Sequence, residues 1–166
     1  TSKSPPCSDC PICMHCSANA NNAVDKYPLR VKNTSNPHYH IAVAIIWNNN
    51  RILISKRKSA GLLGGLWEFP GGKIQSGESG PGCVVRSARK SLNILIDPGV
   101  CIKRIKHSYS HFSITVDAYR CMFIGGNPDA LTCADFRWIY PYEMQQFAFH
   151  RAHHKLFDKI EGALWV

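Results

Sequence analysis

The sequence predicts a single α/β domain, preceded by a cysteine-rich segment and a linker. Residues 39–47 form a continuous apolar run with Val and Ile, which is typical of a strand buried on both faces. Residues 61–94 read as a short strand, a Gly-Gly loop and a helix. Partly alternating patterns over 100–106 and 112–123 predict two further strands. A chain of 166 residues has room for one sizeable core plus an extra segment.

Composition limits the partners. The net charge of +9 favours a polyanion, most obviously nucleic acid, although a basic surface that only serves solubility is as compatible. No run of 18 apolar residues exists, so we expect no membrane span and no membrane partner. The chain opens on Thr1 without an apolar leader. We therefore expect a piece of a larger protein.

The cysteines divide into two groups. One group is crowded into ten residues at a spacing typical of metal or cluster ligands, which strain-free disulfides would not favour. The other is scattered through apolar surroundings, which predicts small buried side chains. The crowded group is Cys7, Cys10, Cys13 and Cys16, and the scattered group is Cys83, Cys101, Cys121 and Cys133. This use of thiols fits a reducing intracellular compartment.

The organisation along the chain follows from composition. Residues 17–37 are rich in Asn, Ala and Ser without periodicity, which predicts a linker, and the domain core is expected over 38–166. The three residues Asn48–Asn50 predict a turn, because Asn tolerates left-handed backbone, and 51–56 then predicts the returning strand of a hairpin.

A helix is predicted after Glu78. Its start is irregular because Gly80, Pro81 and Gly82 are poor residues for a helix interior. Apolar residues then recur at helical spacing, and basic residues occupy the opposite side, as a solvated face or as phosphate contacts. The apolar positions are Val84, Val85, Ala88 and Leu92, and the basic ones are Arg86, Arg89 and Lys90.

The remaining pattern is simpler. A turn is predicted at 97–99, a loop at 107–111 and a chain break at 125–128. A last strand is expected over 136–140, followed by helices over 144–149 and 152–160.

The segment 61–94 resembles the Nudix box, G-x5-E-x7-R-E-U-x-E-E-x-G-U, in which U is apolar. Gly72, Glu78 and Arg86 fit its spacing. The remainder of the pattern is not matched: the three helix glutamates fall on Ser87, Lys90 and Ser91, and the late glycine falls on Asn93.

The resemblance implies a Nudix-type α/β/α sandwich with a mixed central sheet. Nudix hydrolases hold divalent cations with the helix carboxylates, and the cations bridge the pyrophosphate and activate water. Because Lys90 would repel a cation, we expect no divalent metal here and a scaffold that has lost hydrolysis. The alternative is an active Nudix hydrolase of an oxidised nucleoside triphosphate such as 8-oxo-dGTP, which the three matching residues favour.

The cysteine segment resembles the end of the iron-sulfur loop in MutY-type adenine DNA glycosylases, whose ligands are spaced C-x6-C-x2-C-x5-C. Cys7, Cys10 and Cys16 fit the last three positions, so the first ligand would directly precede Thr1. The resemblance implies a [4Fe-4S] cluster in the parent protein that is incomplete or absent in this piece. Cys13 is extra to the pattern and is a possible substitute ligand; a zinc site is the alternative.

The domain also resembles the MutT-like C-terminal domain of the same family, through LWEFPGG at 66–72 and the segment 147–154. The linker, with Tyr27-Pro28, lies where that family joins its two domains. The parent would remove adenine mispaired with 8-oxoguanine during base excision repair. Its helix-hairpin-helix catalytic domain would lie upstream, so this piece is expected to recognise the lesion in double-stranded DNA without catalysing the reaction.

The implied partners are therefore duplex DNA with 8-oxoguanine opposite adenine and the absent catalytic domain, with repair proteins at the linker as a further option. The implied compartment is the nucleus or mitochondrion of a eukaryote, or the cytoplasm and nucleoid of a bacterium.

In the MutY family a Phe-Ser-His loop reaches the 8-oxoguanine, and Tyr109, Ser110 and His111 match it. The Ser110 hydroxyl can pair with the N7–H donor or the O8 acceptor that distinguish this base from guanine. Tyr109 can wedge or stack beside the lesion, and His111 can meet the backbone or a base edge. The alternative interpretation is that this loop is a hairpin tip whose Ser and His are merely exposed turn residues.

Two basic clusters are candidates for phosphate contacts, which supply affinity without sequence information. Alternatively, and equally well supported by the sequence, these clusters form a charged strand edge that blocks aggregation. The clusters are Lys56, Arg57 and Lys58, and Lys103, Arg104 and Lys106.

Overall fold

The computed structural model describes residues 5–27 and 36–162. The chain divides into two compact units, with the boundary between Ser35 and Asn36. The described residues of the first unit, 5–27, contain short helical turns: 3-10 turns at Cys7–Asp9, Cys13–His15 and Val24–Lys26, and the α-helical turn α1 at Ser17–Ala20. Residues 1–4 of the predicted cluster loop and 28–35 of the predicted linker, including Pro28, lie outside the described residues, so the proposed limits of loop, linker and domain stay predictions.

The second unit is built on one seven-stranded sheet. Its strands are β1 (His38–Asn48), β2 (Arg51–Lys56), β3 (Trp67–Glu68), β4 (Gly71–Lys73), β5 (Ile94–Ser108), β6 (Ser113–Gly126) and β7 (Asp135–Ile139). The order is β3-β2-β1-β6-β5, with β4 also paired to β1 and β7 to β2. Strands β1 and β6 are parallel and the other pairs are antiparallel, which confirms the mixed sheet.

Helices cover both faces of this sheet. Helix α2 (Gly80–Leu92) lies on one face; a 3-10 helix (Pro141–Gln146) and the helices α3 (Arg151–His154) and α4 (Phe157–Glu161) belong to the other. Strand β1 explains the arrangement, because Val43 and Ile45 pack with Leu156 while Ala44 and Ile46 pack with α2. Two-sided burial of one apolar run confirms the α/β/α sandwich. No helix among the described residues is long and apolar enough to cross a membrane.

Helix α2 begins at Gly80, after Glu78 as predicted, and its first turn is more regular than its sequence suggests. The Ser79 hydroxyl accepts a hydrogen bond from the Gly82 N–H (3.1 Å), which caps the first turn, and Asn93 ends the helix with a φ of 55°. Gly80 is required by packing: a Cβ at that position would collide with the Tyr119 hydroxyl and lie 2.6 Å from its Cζ atom. The glycine-rich start is therefore a capped turn that leaves room for a tyrosine.

Four predictions along the chain are wrong. The turn at 97–99 is an irregularity within β5, where the register with β6 shifts between Pro98 and Cys101. The helix over 144–149 is instead the 3-10 helix that starts at Pro141, and the helix over 152–160 is divided into α3 and α4. Of the four scattered cysteines, Cys101 is exposed on β5, whereas the other three are buried as expected.

Candidate functional site

The spacing of Glu78 and Arg86, which matches the Nudix box, places an ion pair at the start of α2. Arg86 donates to both carboxylate oxygens of Glu78, from Nε at 2.6 Å and from Nη2 at 2.8 Å, and it also donates to the Lys73 carbonyl (3.1 Å). The backbone N–H of Gln75 donates to the same carboxylate (3.0 Å). These hydrogen bonds, Arg86 first, lower the pKa of Glu78 to about 2. Glu78 and Arg86 therefore fasten the loop after β4 to the helix.

The three positions that carry glutamates in the Nudix box offer no ligands for a divalent cation. Ser87 is buried beside Gly72, Lys90 is exposed, and the Ser91 hydroxyl donates to the Ser87 carbonyl (2.7 Å). Within residues 5–27 and 36–162, no three His, Cys, Asp or Glu side chains are grouped to hold a metal ion. Hydroxyls and an ammonium group do not supply the oxygen anions that Mg²⁺ takes, so the residues present do not fit the metal of the family.

A cavity of about 460 Å³ lies between β1, the Gly71–Lys73 strand, the β5–β6 turn and the start of α3. Its walls are mainly apolar and aromatic, and a few polar groups converge on it. The aromatic residues are Tyr39, Phe69, Tyr109 and Phe112, and the polar ones are Arg57, Glu68, Lys73, His150 and His153. Arg57 donates to Glu68 at 2.6 Å; burial raises the pKa of Glu68, and Arg57 opposes that shift. This is the composition expected of a small-molecule pocket.

Two buried histidines line this cavity. His153 Nδ1 accepts a hydrogen bond from the Phe69 N–H (3.1 Å), which requires an unprotonated Nδ1, and its ring lies 3.9 Å from that of His150. His150 Nδ1 is buried and has no hydrogen-bond partner among the described residues. Burial, followed by nearby positive charge including Arg57, lowers the pKa of His150 to about 4 and that of His153 well below its ordinary value. Both imidazoles are therefore neutral at pH 7.

The predicted lesion loop is the turn that joins β5 to β6. The Tyr109 N–H donates to the Phe112 carbonyl (2.8 Å), which leaves Ser110 and His111 as the exposed tip. Tyr109 is half-buried, because its ring stacks on Phe112 at 4.6 Å and meets the edge of His107 at 4.6 Å. The structure thus separates the three residues: two project to solvent and the third faces the cavity.

Three of the six basic candidates are held in ion pairs by the chain's own carboxylates. Arg57 pairs with Glu68, Lys103 with Asp158 (2.7 Å), and Arg104 makes two hydrogen bonds to Asp117 (2.5 and 2.8 Å). Asp117 is only 5% exposed, so Arg104 neutralises a buried carboxylate. Lys56 lies over the Trp67 ring at 5.9 Å, whereas Lys58 and Lys106 are exposed and form no ion pair within the described segments.

The four N-terminal cysteines are half-buried free thiols in consecutive turns. The N–H of each of the last three donates to the carbonyl of the preceding cysteine, at 3.4 Å for Cys10, 3.0 Å for Cys13 and 3.2 Å for Cys16. No three of them stand in a metal-holding arrangement in the described part of the chain. The cluster assignment stays a prediction.

Sequence reasoning did not single out His150, Phe112 or the cavity. His150 lies at the N-cap of α3, one turn before His153, and the predicted helices over 144–149 and 152–160 leave it outside any helix. Phe112 was assigned only to a strand, since nothing in the sequence shows that its ring meets Tyr109 across a turn.

Known proteins similar to this chain include adenine DNA glycosylases on one side, and nucleotide hydrolases named 8-oxo-dGTP diphosphatase or CTP pyrophosphohydrolase on the other. The chain is 29% identical to the adenine DNA glycosylase of Rattus norvegicus over 112 residues, which is 66% of this chain but 22% of that protein. It is 27% identical to the 8-oxo-dGTP diphosphatase of Proteus vulgaris over 81 residues, 48% of this chain and 72% of that protein. These similarities do not single out either group.

Solved structures agree on the fold. The E. coli ORF135 protein superposes with a TM-score of 0.69 at 26% identity, covering 79% of this chain and 94% of that one. The MutT protein of Methanosarcina mazei Go1 gives a TM-score of 0.72 at 15% identity, covering 81% of this chain and 100% of the other, which supports the fold alone.

The model of the NUDIX domain family matches residues 42–159. This range runs from the middle of β1 into α4. The box spacing, the sandwich and this match lead to one conclusion: the chain belongs to the Nudix domain family.

Proposed function

We propose that this chain recognises 8-oxoguanine in double-stranded DNA, as the C-terminal part of an adenine DNA glycosylase that removes adenine from the mispair. The observation that carries the proposal is a contrast within one domain. The box lacks ligands for a catalytic metal, whereas Ser110 and His111 project freely from the end of a long hairpin. Relatives named adenine DNA glycosylase, in Rattus norvegicus and Schizosaccharomyces pombe among others, support it.

The tip has the chemistry that the lesion requires. A hydroxyl both donates and accepts, so Ser110 can accept from N7–H or donate to O8 of the oxidised base. Guanine has an acceptor at N7 and no oxygen at position 8, so the same hydroxyl gains less from it. Neither side chain at the tip is engaged by a hydrogen bond within the described residues. Lys58 and Lys106 are the best of the basic candidates for phosphate contacts, because they carry no internal counter-charge.

Replacing Ser110 with alanine should lower the preference for 8-oxoguanine over guanine opposite adenine by about fivefold to a hundredfold, the equivalent of roughly 1–3 kcal/mol for one specific base contact. The measurement is the ratio of Kd values for the two duplexes, made with this chain and repeated with the longer enzyme. Ser108→Ala is the matched control, because Ser108 is exposed on β5 next to the turn but outside it. An unchanged ratio in Ser110→Ala would remove this residue from recognition.

A second candidate function is hydrolysis of an oxidised nucleotide. The cavity of about 460 Å³ favours it, and so do relatives named 8-oxo-dGTP diphosphatase in Proteus vulgaris and E. coli. The absence of carboxylates at positions 87, 90 and 91 opposes it. We place it second because a cavity binds a ring without metal, whereas hydrolysis in this family depends on the metal.

The proposal extends to cofactor, partners and compartment. We propose a [4Fe-4S] cluster in the parent, with Cys7, Cys10 and Cys16 as three of its ligands and Cys13 as a substitute ligand in this piece. Iron and sulfide analysis of the parent tests this assignment. Zinc without iron would contradict it. The proposed partners are lesion-containing duplex DNA, the catalytic domain and repair proteins at the linker. A reducing intracellular compartment, nuclear or mitochondrial in a eukaryote, is proposed from the same assignment.

A further inference from the structure

A row of aromatic rings runs behind the hairpin tip. His107 meets Tyr109 edge to face at 4.6 Å, Tyr109 stacks on Phe112 at 4.6 Å, and Phe112 lies 6.0 Å from Tyr39 on β1. The Lys73 ammonium group sits 3.5 Å above the Tyr39 ring, which ties the end of the row to β4. The row thus connects the tip to two strands of the sheet.

The turn has few constraints of its own. Its four residues, 109–112, lie between the paired residues Ser108 and Ser113. Among the described residues, one backbone hydrogen bond lies within it, from the Tyr109 N–H to the Phe112 carbonyl, and closes its base. The side chains of Ser110 and His111 make no hydrogen bond among those residues. Packing of the flanking aromatic rings therefore supplies a further constraint on the shape of the turn.

We propose that Phe112 is a positioning residue for lesion recognition: its ring, stacked on Tyr109 and tilted toward Tyr39, holds the turn so that Ser110 and His111 project in one orientation. This inference rests on the proposed function of the tip. It also gives Tyr109 a different role from the wedge expected from sequence. A ring that stacks on Phe112 and lines the cavity cannot enter a base step without leaving both contacts.

The residues at the turn contribute to recognition through different chemical groups. Tyr109 contributes its ring face and not its hydroxyl, for which no hydrogen bond exists among the described contacts. Tyr109→Phe should therefore preserve both the shape of the tip and its preference for the lesion. Phe112→Ala should disturb both, although Phe112 does not belong to the exposed tip.

The test combines two readouts on this chain. The first is the NMR order parameter of the Ser110 and His111 amides without DNA, which should fall in Phe112→Ala from about 0.85 toward 0.6. The second is the ratio of Kd values for duplexes with 8-oxoguanine or guanine opposite adenine, which should fall about tenfold, toward that of Ser110→Ala. Binding of the undamaged duplex should change by less than about twofold, because phosphate contacts supply it.

Two further variants keep the test decisive. Tyr142→Ala removes an aromatic ring that is 67% exposed and, within residues 5–27 and 36–162, stacks only on Tyr140, so both readouts should stay at wild-type values. Phe112→Leu keeps apolar volume without a planar ring and replaces Phe112→Ala if that protein does not fold.

The possible failures are distinguishable. An ordered tip in Phe112→Ala overturns the positioning role, whatever the ratio. A disordered tip with an unchanged ratio overturns the link between tip geometry and recognition. A wild-type chain that binds both duplexes equally overturns the proposed function itself, before any variant of Phe112 is considered.

Discussion

Lowering the pH from 7 to 4.5 is expected to reduce the free energy of unfolding by about 2.5 kcal/mol through His150 alone. The folded protein holds this imidazole neutral, with a pKa of about 4, whereas the unfolded chain binds a proton below about 6.5. Because the pKa is depressed on folding, stability is complete above pH 6.5 and is lost as the pH falls through that value toward 4. His153, whose pKa is also lowered, acts in the same direction.

Urea unfolding at pH 7 and at pH 4.5 measures this loss, and His150→Phe is the matched variant. Phenylalanine keeps a ring of similar shape and cannot titrate, and His150 Nδ1 makes no hydrogen bond within the described residues that the change would remove. Glu78 and Asp158 have pKa values that are lowered on folding, so their contributions to stability are lost mainly below this pH range. The same loss in wild type and variant would show that other groups cause the acid sensitivity.

Gly71→Ala is expected to destabilise the domain by about 3 kcal/mol or more, and to lower the Tm by roughly 10 °C. A Cβ on Gly71 would collide with the Ala42 carbonyl oxygen and lie 2.8 Å from the Val43 Cα. Both obstacles are backbone atoms of β1, which pairs with β4 through these same residues. The clash therefore cannot be relieved by turning a side chain, and the strands must separate.

Gly125→Ala is the control for this prediction. Gly125 lies in β6, and a Cβ there meets no atom within 4 Å. Alanine at that position should be neutral or slightly stabilising, since it restricts the unfolded chain. Thermal unfolding of the two variants compares a forbidden and a permitted methyl group in the same sheet. Equal Tm values would mean that β4 and β1 are not packed as closely as the structure has them.

Much of the fold was predictable because its signals are local. The apolar run of β1 predicted a strand buried on both faces, and Asn49 and Asn50 predicted a turn that both occupy with positive φ. Asp97-Pro98-Gly99 misled for the same reason. These residues favour a turn by themselves, yet pairing with β6 holds them in one long irregular strand. A local preference for a turn is overridden where a neighbouring strand is available for pairing.

The candidate site was predictable only where spacing along the chain determines it. Gly72, Glu78 and Arg86 were found by spacing, and the structure joins the last two in an ion pair. Lys103 and Arg104 were proposed as phosphate contacts because they are basic and lead toward the predicted lesion loop. Their ion pairs were missed because the partner carboxylates are distant in sequence. Asp158 lies 55 residues from Lys103, and Asp117 reaches Arg104 only through the register of β5 with β6. Such pairing cannot be read from composition.

The most direct test of a Nudix scaffold without hydrolysis is an assay of 8-oxo-dGTP breakdown by this chain with Mg²⁺ or Mn²⁺, against the same protein in EDTA. We expect that the folded protein, checked by its cooperative unfolding, shows no turnover above the EDTA control. The reason is that the box has Ser87, Lys90 and Ser91 in place of metal ligands. Metal-dependent turnover that Glu78→Gln abolishes would contradict it, and would make the chain a nucleotide hydrolase.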